Sequence, residues 1–136
     1  MIANGMDNFF FEYDAANGII AARVMGHVDD AVFRALYQAA SSQIQACHAR
    51  SGVADFSSVT SFDVSNETIR DVARMAPLIP DPTPRYIVAP PDHIFGTVRM
   101  LQLMSGNRRD GVRVVRTLAE AYQGLGLTSP TFERMD

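Results

Sequence analysis

Apolar residues recur along this chain in two alternating rhythms: short strand-like runs, and longer stretches spaced by three and four. FFFEYD (residues 9–14) and IIAARVM (19–25) are both strand-like, and Asn17-Gly18 between them is a hairpin turn signal. After a cap at Asp29 or Asp30, the residues Val32, Phe33, Leu36, Tyr37, Ala40, Ile44 and Cys47 line one face of an amphipathic helix. Ser51-Gly52 breaks it, and Val53 to Phe56 reads as the third strand. Ile69, Val72, Ala73 and Ala76 mark a second helix stopped by Pro77, and the stiff LIPDPTPR segment is a connecting loop. Tyr86 to Ala89 predicts a fourth strand. Pro90-Pro91-Asp92 then starts a helix carrying Ile94, Val98, Leu101 and Met104 or Ser105, closed by Gly106. Val112 to Val115 predicts a fifth strand, and Thr117-Leu118-Ala119-Glu120 is a capping box opening a last helix with Leu118, Ala121, Tyr122 and Leu125.

The order ββαβαβαβα predicts an α/β protein built on a single, mostly parallel five-stranded sheet. Its first strand joins antiparallel through the hairpin. Residues 1–127 form one domain on this reading, and residues 128–136 a poorly tied C-terminal tail. Turns that follow parallel strands gather along one edge of the sheet, where ligands tend to bind.

One stretch on that edge is unusually polar. In DFSSVTSFDVS, residues 55–65, seven side chains carry a hydroxyl or a carboxylate: Asp55, Ser57, Ser58, Thr60, Ser61, Asp63 and Ser65. Such density suits a turn exposing hydroxyls and amides at a helix N-terminus, hence recognition or regulation more than a reaction. The expected edge gathers Ser57, Ser58, Asp63 and Ser65 after the third strand, Pro91, Asp92 and His93 after the fourth, and Arg116 and Thr117 after the fifth. Ser57, Ser58 and Ser65 are candidate phosphorylation sites there; the plainer reading is that Ser65, Asp92 and Thr117 merely cap their helices.

Bulk properties narrow the function classes. The 136 residues fit one domain, and 47% hydrophobic with 20% charged residues describes an ordinary globular chain. A net charge of −3 argues against nucleic acid as a partner. No apolar run approaches the ~18 residues of a membrane span, and no basic segment precedes the first aromatics, so neither a span nor a signal peptide is expected. One cysteine excludes an internal disulfide and fits a cytoplasmic location. All 12 basic residues are arginine, and the missing lysine removes Schiff-base chemistry. Cys47-His48 diverge on a helix, and His27, His48 and His93 lack metal-ligand spacing. With no phosphate loop, nucleophile elbow or metal-binding helix, no catalytic residue, metal or cofactor is expected.

Asp55-Phe56-Ser57-Ser58-Val59-Thr60 resembles the first half of the DLSGVTFIDSSGL stretch of STAS domains, the fold of anti-sigma-factor antagonists and sulfate-transporter tails. Asp63 matches the aspartate before their phosphorylated serine, whose own position holds Val64, followed by Ser65-Asn66. A closer resemblance is to the SpoIIAA-like, STAS/SEC14-type small bacterial proteins. It rests on residues 55–65, on RYIVAPPDHIFGTVRM (85–100) with its Gly96, Arg99 and Met100, and on a valine-rich strand before a terminal leucine-glycine; Gly124 stands where that family often has a tryptophan. The resemblance implies a non-catalytic protein-interaction or regulatory module with an unidentified protein partner. Its alternative is a small-molecule or lipid binder of the SEC14 type, with Phe95, Met100 and Met104 lining an apolar space. Three successive phenylalanines (9–11), which cannot all face one side of a strand, and the apolar surplus of Val98, Met100, Leu101, Leu103 and Met104 suggest a homodimer or larger oligomer.

Overall fold

The computed structural model describes residues 8–75, 84–89, 92–104 and 111–135; of residues 92, 93 and 101–104 it describes the backbone alone. The elements run β1 (Phe9–Asp14), β2 (Ile19–Asp29), α1 (Asp30–Cys47), β3 (Ser51–Asp63), α2 (Asn66–Arg74), β4 (Arg85–Val88), α3 (Asp92–Met104), β5 (Val112–Val115), α4 (Leu118–Leu125) and β6 (Glu133–Arg134). Among the described residues they form an α/β fold with four helices and a mixed sheet in the order β5-β4-β3-β2-β1-β6. β2 to β5 are mutually parallel, whereas β1 is antiparallel both to β2 and to β6.

Among the described residues the sheet therefore has six strands, where five were expected. The extra one comes from the expected loose tail, where Arg134 and Glu133 pair with Glu12 and Tyr13 and Met135 N donates to Phe11 O at 2.8 Å. A two-residue strand has no periodicity to read. What holds it is side-chain chemistry: Phe132 stacks on Tyr122 at 5.9 Å between centroids, and the Arg134 guanidinium lies 4.3 Å from the Phe10 ring centroid.

From β2 to β5 each new strand is added on the same side of its predecessor. Right-handed crossovers in one direction put all the intervening helices on one face. The packing agrees. Phe33, Leu36 and Ala40 of α1, Ile69, Val72 and Ala73 of α2, and Ile94 and Val98 of α3 pack with Phe9, Phe11, Ala22, Val24 and Phe56 of the sheet. The opposite face buries Ala21, Val53 and Val88 under Ala121 of α4, with Tyr86, Leu118 and Phe132 around them. Gly124 belongs to this second interface: a Cβ there would run into the Tyr86 ring, so a residue without a side chain lets α4 lie close to β4. The three phenylalanines divide accordingly. Phe9 and Phe11 enter the helix-covered core, and the Arg134 strap covers Phe10, so that run by itself calls for no second copy.

The β2–β3 pair is the part of the sheet that departs from a regular ladder. Arg23 faces Asp55, but Met25 faces Ser58; Gly26 faces Val59, but His27 faces Ser61. Each step inserts one extra residue into β3, giving two bulges within six positions. β4 pairs with β3 only at Val53, Ala54 and Asp55, and β1 pairs with β2 only as far as Val24. Beyond those points β2 and β3 continue as a two-stranded ribbon.

Candidate functional site

The ribbon contains the polar stretch singled out in the sequence, but in another conformation. Residues 55–65 were expected to leave the strand after Phe56 and turn. Instead β3 runs on to Asp63, and only Val64 and Ser65 separate it from α2. Bulges explain the difference. They make burial recur every third residue, with Phe56 and Val59 buried and Phe62 half-buried against Phe33 and Phe56, while Ser57, Ser58, Thr60 and Ser61 stay exposed. The outer half of β3 thus shows water two pairs of hydroxyls and holds three apolar side chains against α1.

At the far end of the ribbon the helix N-termini are already occupied. Asp29 caps α1, its Oδ1 accepting from Val32 N at 2.9 Å. Ser65 caps α2, its Oγ accepting from Thr68 N at 3.2 Å. Asp30 accepts from Ser65 N at 2.7 Å and from Ser65 Oγ at 2.9 Å, and these bonds hold its carboxyl below the usual range. Arg34 crosses from α1 to donate to Thr68 Oγ1 at 3.1 Å and Asp71 Oδ2 at 2.8 Å. Asp29, Asp30, Ala31, Asp63 and Ser65 line an open depression of about 280 Å³. An anion brought here would meet three carboxylates and few free amides, so the expected helix-dipole site for a phosphate is chemically unsuited to one.

Ser65 follows from this as a structural hydroxyl. Ser65→Ala is expected to lower stability by about 1 kcal/mol through loss of the cap. Ser65→Glu should cost more, because it adds a negative charge beside Asp30 and Asp63. Urea unfolding of the three proteins checks the ranking; a glutamate variant as stable as wild type would contradict the electrostatic part.

The remaining sequence-selected residues do not converge. Ser57 is exposed and its N–H donates to Asp55 Oδ1 at 2.9 Å; Ser58 and Asp63 are exposed along the same strand. Thr117 lies two strands away and opens α4 on the other face of the sheet. It forms a complete capping box there, with Thr117 N to Glu120 Oε1 at 3.0 Å and Glu120 N to Thr117 Oγ1 at 3.1 Å. Pro91 and the side chains of Asp92 and His93 lie outside the described residues. Of the residues proposed to line an apolar space, Phe95 carries the Arg116 guanidinium 4.1 Å from its centroid, Met100 packs on the core, and the Met104 side chain lies outside the described residues. Among the described residues, no group of three or more histidine, cysteine, aspartate or glutamate side chains could hold a metal, and no helix is long and apolar enough to cross a membrane.

Two features escaped sequence reasoning. His27 Nδ1 lies 2.5 Å from Ser61 Oγ, a pairing that depends on the second bulge. Arg23 joins Glu12, Asp55 and Tyr122 on the α4 side of the sheet. Residues 27 and 61 are far apart in sequence, and only strand register, invisible to periodicity, brings them together. Comparison of the chain with models of known protein families gives no match, and comparison with curated proteins gives none.

Proposed function

We propose that this chain is a non-catalytic, STAS-like interaction module of the SpoIIAA-like type, and that it meets a protein partner through the outer half of β3. The reading is carried by one observation. Paired with β2 alone, β3 continues past β4 with Ser57, Ser58, Thr60, Ser61 and Asp63 all exposed, and beyond Asp55 no described strand pairs with its other edge. Phe56, Val59 and Phe62 tie this half of β3 to the core, but the exposed residues between them add nothing to it, and ordering each one costs entropy. An unpaired strand edge flanked by exposed hydroxyls offers backbone and side-chain hydrogen bonds to an added partner strand.

Affinity capture from cells of the native source, with quantitative mass spectrometry, tests the proposal. Ser58→Arg is expected to deplete a defined partner at least about tenfold, as hot-spot disruption does. Gln123→Arg, on exposed α4, should leave that partner in place. Retention of the same partners by both variants would remove the β3 surface from consideration.

A further inference from the structure

Ser61 stands opposite His27 only because β3 carries its second bulge. Gly26 faces Val59, so an uninterrupted ladder would set His27 against Thr60; the extra residue moves Ser61 into that place. Ser61 Oγ then lies 2.5 Å from His27 Nδ1, with both residues exposed. The backbone beneath the histidine is pinned from its other side, since Asn8 Nδ2 donates to His27 O at 2.9 Å and to Met25 O at 3.3 Å. Gly26, at φ +74°, supplies the left-handed step that lets the chain pass Asn8. Other hydroxyls nearby are placed differently. Ser65 Oγ is engaged with Asp30 and Thr68, and Ser57 is tied through its N–H to Asp55.

We propose that Ser61 is an activated hydroxyl, with His27 as its base, and that it accepts an acyl group from an uncharged activated acyl donor. With the ring neutral and its proton on Nε2, Nδ1 accepts the Ser61 Oγ–H. Oγ attacks the donor's carbonyl carbon as Nδ1 takes the proton. The bond from that carbon to the leaving group then breaks, and the leaving group departs with the proton held on Nδ1. The products are an ester on Ser61 and the free alcohol or thiol, with nothing oxidised or reduced. Charged and titratable neighbours set the donor class. Asp29 and Asp63 follow two residues on along the two strands, on the same ribbon face by strand alternation, with Asp30 beside them at the start of α1; Asn8 on the other side is uncharged. Three carboxylates oppose the approach of an anionic donor. The ester stays on Ser61, so the step modifies the chain without turnover, is compatible with a non-catalytic module, and stands whether or not the ribbon also binds a protein.

Treating the full chain with p-nitrophenyl acetate and mapping acetyl groups by peptide mass spectrometry tests this. Ser61 is expected to label at least about tenfold faster than Ser57 or Ser58, in line with general-base assistance. His27→Gln should remove the rate advantage, Ser61→Ala should remove the label, and acetyl phosphate, an anionic donor, should label Ser61 more slowly than the ester. Amide exchange at Val59 and Phe62 reports whether the ribbon survives in each variant; should His27→Gln disturb it, the wild-type distribution of label among Ser57, Ser58 and Ser61 decides alone. Even labelling across the exposed hydroxyls, a wild-type rate in an intact His27→Gln ribbon, or acetyl that stays on His27 would overturn the proposal.

Discussion

Asp14→Ala is expected to lower the free energy of unfolding by about 3 kcal/mol and the melting temperature by roughly 10 °C. Asp14 ends β1 with only 1% of its surface exposed, yet it is fully served by donors. Asn17 Nδ2 donates to its Oδ2 at 2.7 Å and Asn17 N to its Oδ1 at 3.2 Å, with the Ala16 and Thr131 amides adding to the set. The carboxylate thereby joins the β1–β2 turn to the C-terminal strap just before Phe132. Bonds to a charged acceptor are worth about 1.5–3 kcal/mol each when one partner is removed, and alanine leaves several donors facing a void. Amide exchange should quicken over residues 128–135 as well as in the turn.

The same residue predicts a pH signature. Its hydrogen bond from the Asn17 side chain comes first among the causes that hold its pKa below the usual 3.8, outweighing the opposing effect of burial. A carboxyl whose folded pKa is depressed contributes stability that is complete above the unfolded value and is lost as pH falls through the folded one. The stability gap between wild type and Asp14→Asn should therefore be constant from neutral pH down to about pH 5 and close below pH 4. A gap that persisted unchanged into strong acid would show that shape, not charge, makes Asp14 matter.

Why the fold was largely legible and the site was not comes down to particular residues. The α1 face could be read because Phe33, Leu36 and Ala40 keep one helical period from cap to cap and are the residues buried. Thr117 and Glu120 announced α4 because a capping box is entirely local. In β3, by contrast, Phe56, Val59 and Phe62 recur at a spacing of three, which belongs to neither a flat strand nor a helix. That spacing comes from bulges, which depend on the register with β2 across the ladder, beside Gly26 at positive φ and Asn8. Ser and Asp then read as turn residues on composition, although Thr60 and Val59 are equally at home in strands. The strap is the same case in smaller form: Phe132 and Arg134 find their places through Tyr122 and Phe10, contacts without sequence spacing.

Arg23→Met should cost about 2 kcal/mol, the second large effect, and should reach the ribbon as well as the sheet. Arg23 projects toward α4 from the middle of β2, where its Nε donates to Glu12 Oε1 at 2.8 Å, Nη1 to Asp55 Oδ2 at 3.2 Å and Nη2 to Tyr122 OH at 3.2 Å. The guanidinium also lies 5.3 Å from the Phe132 centroid. With side-chain exposures of 18%, 23% and 14% for Arg23, Glu12 and Asp55, the group lies between an exposed pair, worth at most about 1 kcal/mol, and a buried one, whose disruption costs about 3–5. Methionine fills the space but leaves the Glu12 and Asp55 carboxylates without the cation they share. Lysine keeps the charge and loses the planar fork, so Arg23→Lys should recover only part of the loss. In the double variant with Asp55→Asn one of those carboxylates is gone, and the two substitutions should fall short of additivity by about 1 kcal/mol. Asp55 is also the residue that receives Ser57 N at the first bulge. Releasing it should speed exchange at the Ser57 amide while leaving Val24, deep in the sheet, protected. Additive unfolding energies with unchanged exchange at Ser57 would mean that Arg23 acts through Glu12 and Tyr122 alone, and that the hydroxyl-bearing half of β3 is held from the Asn8 side.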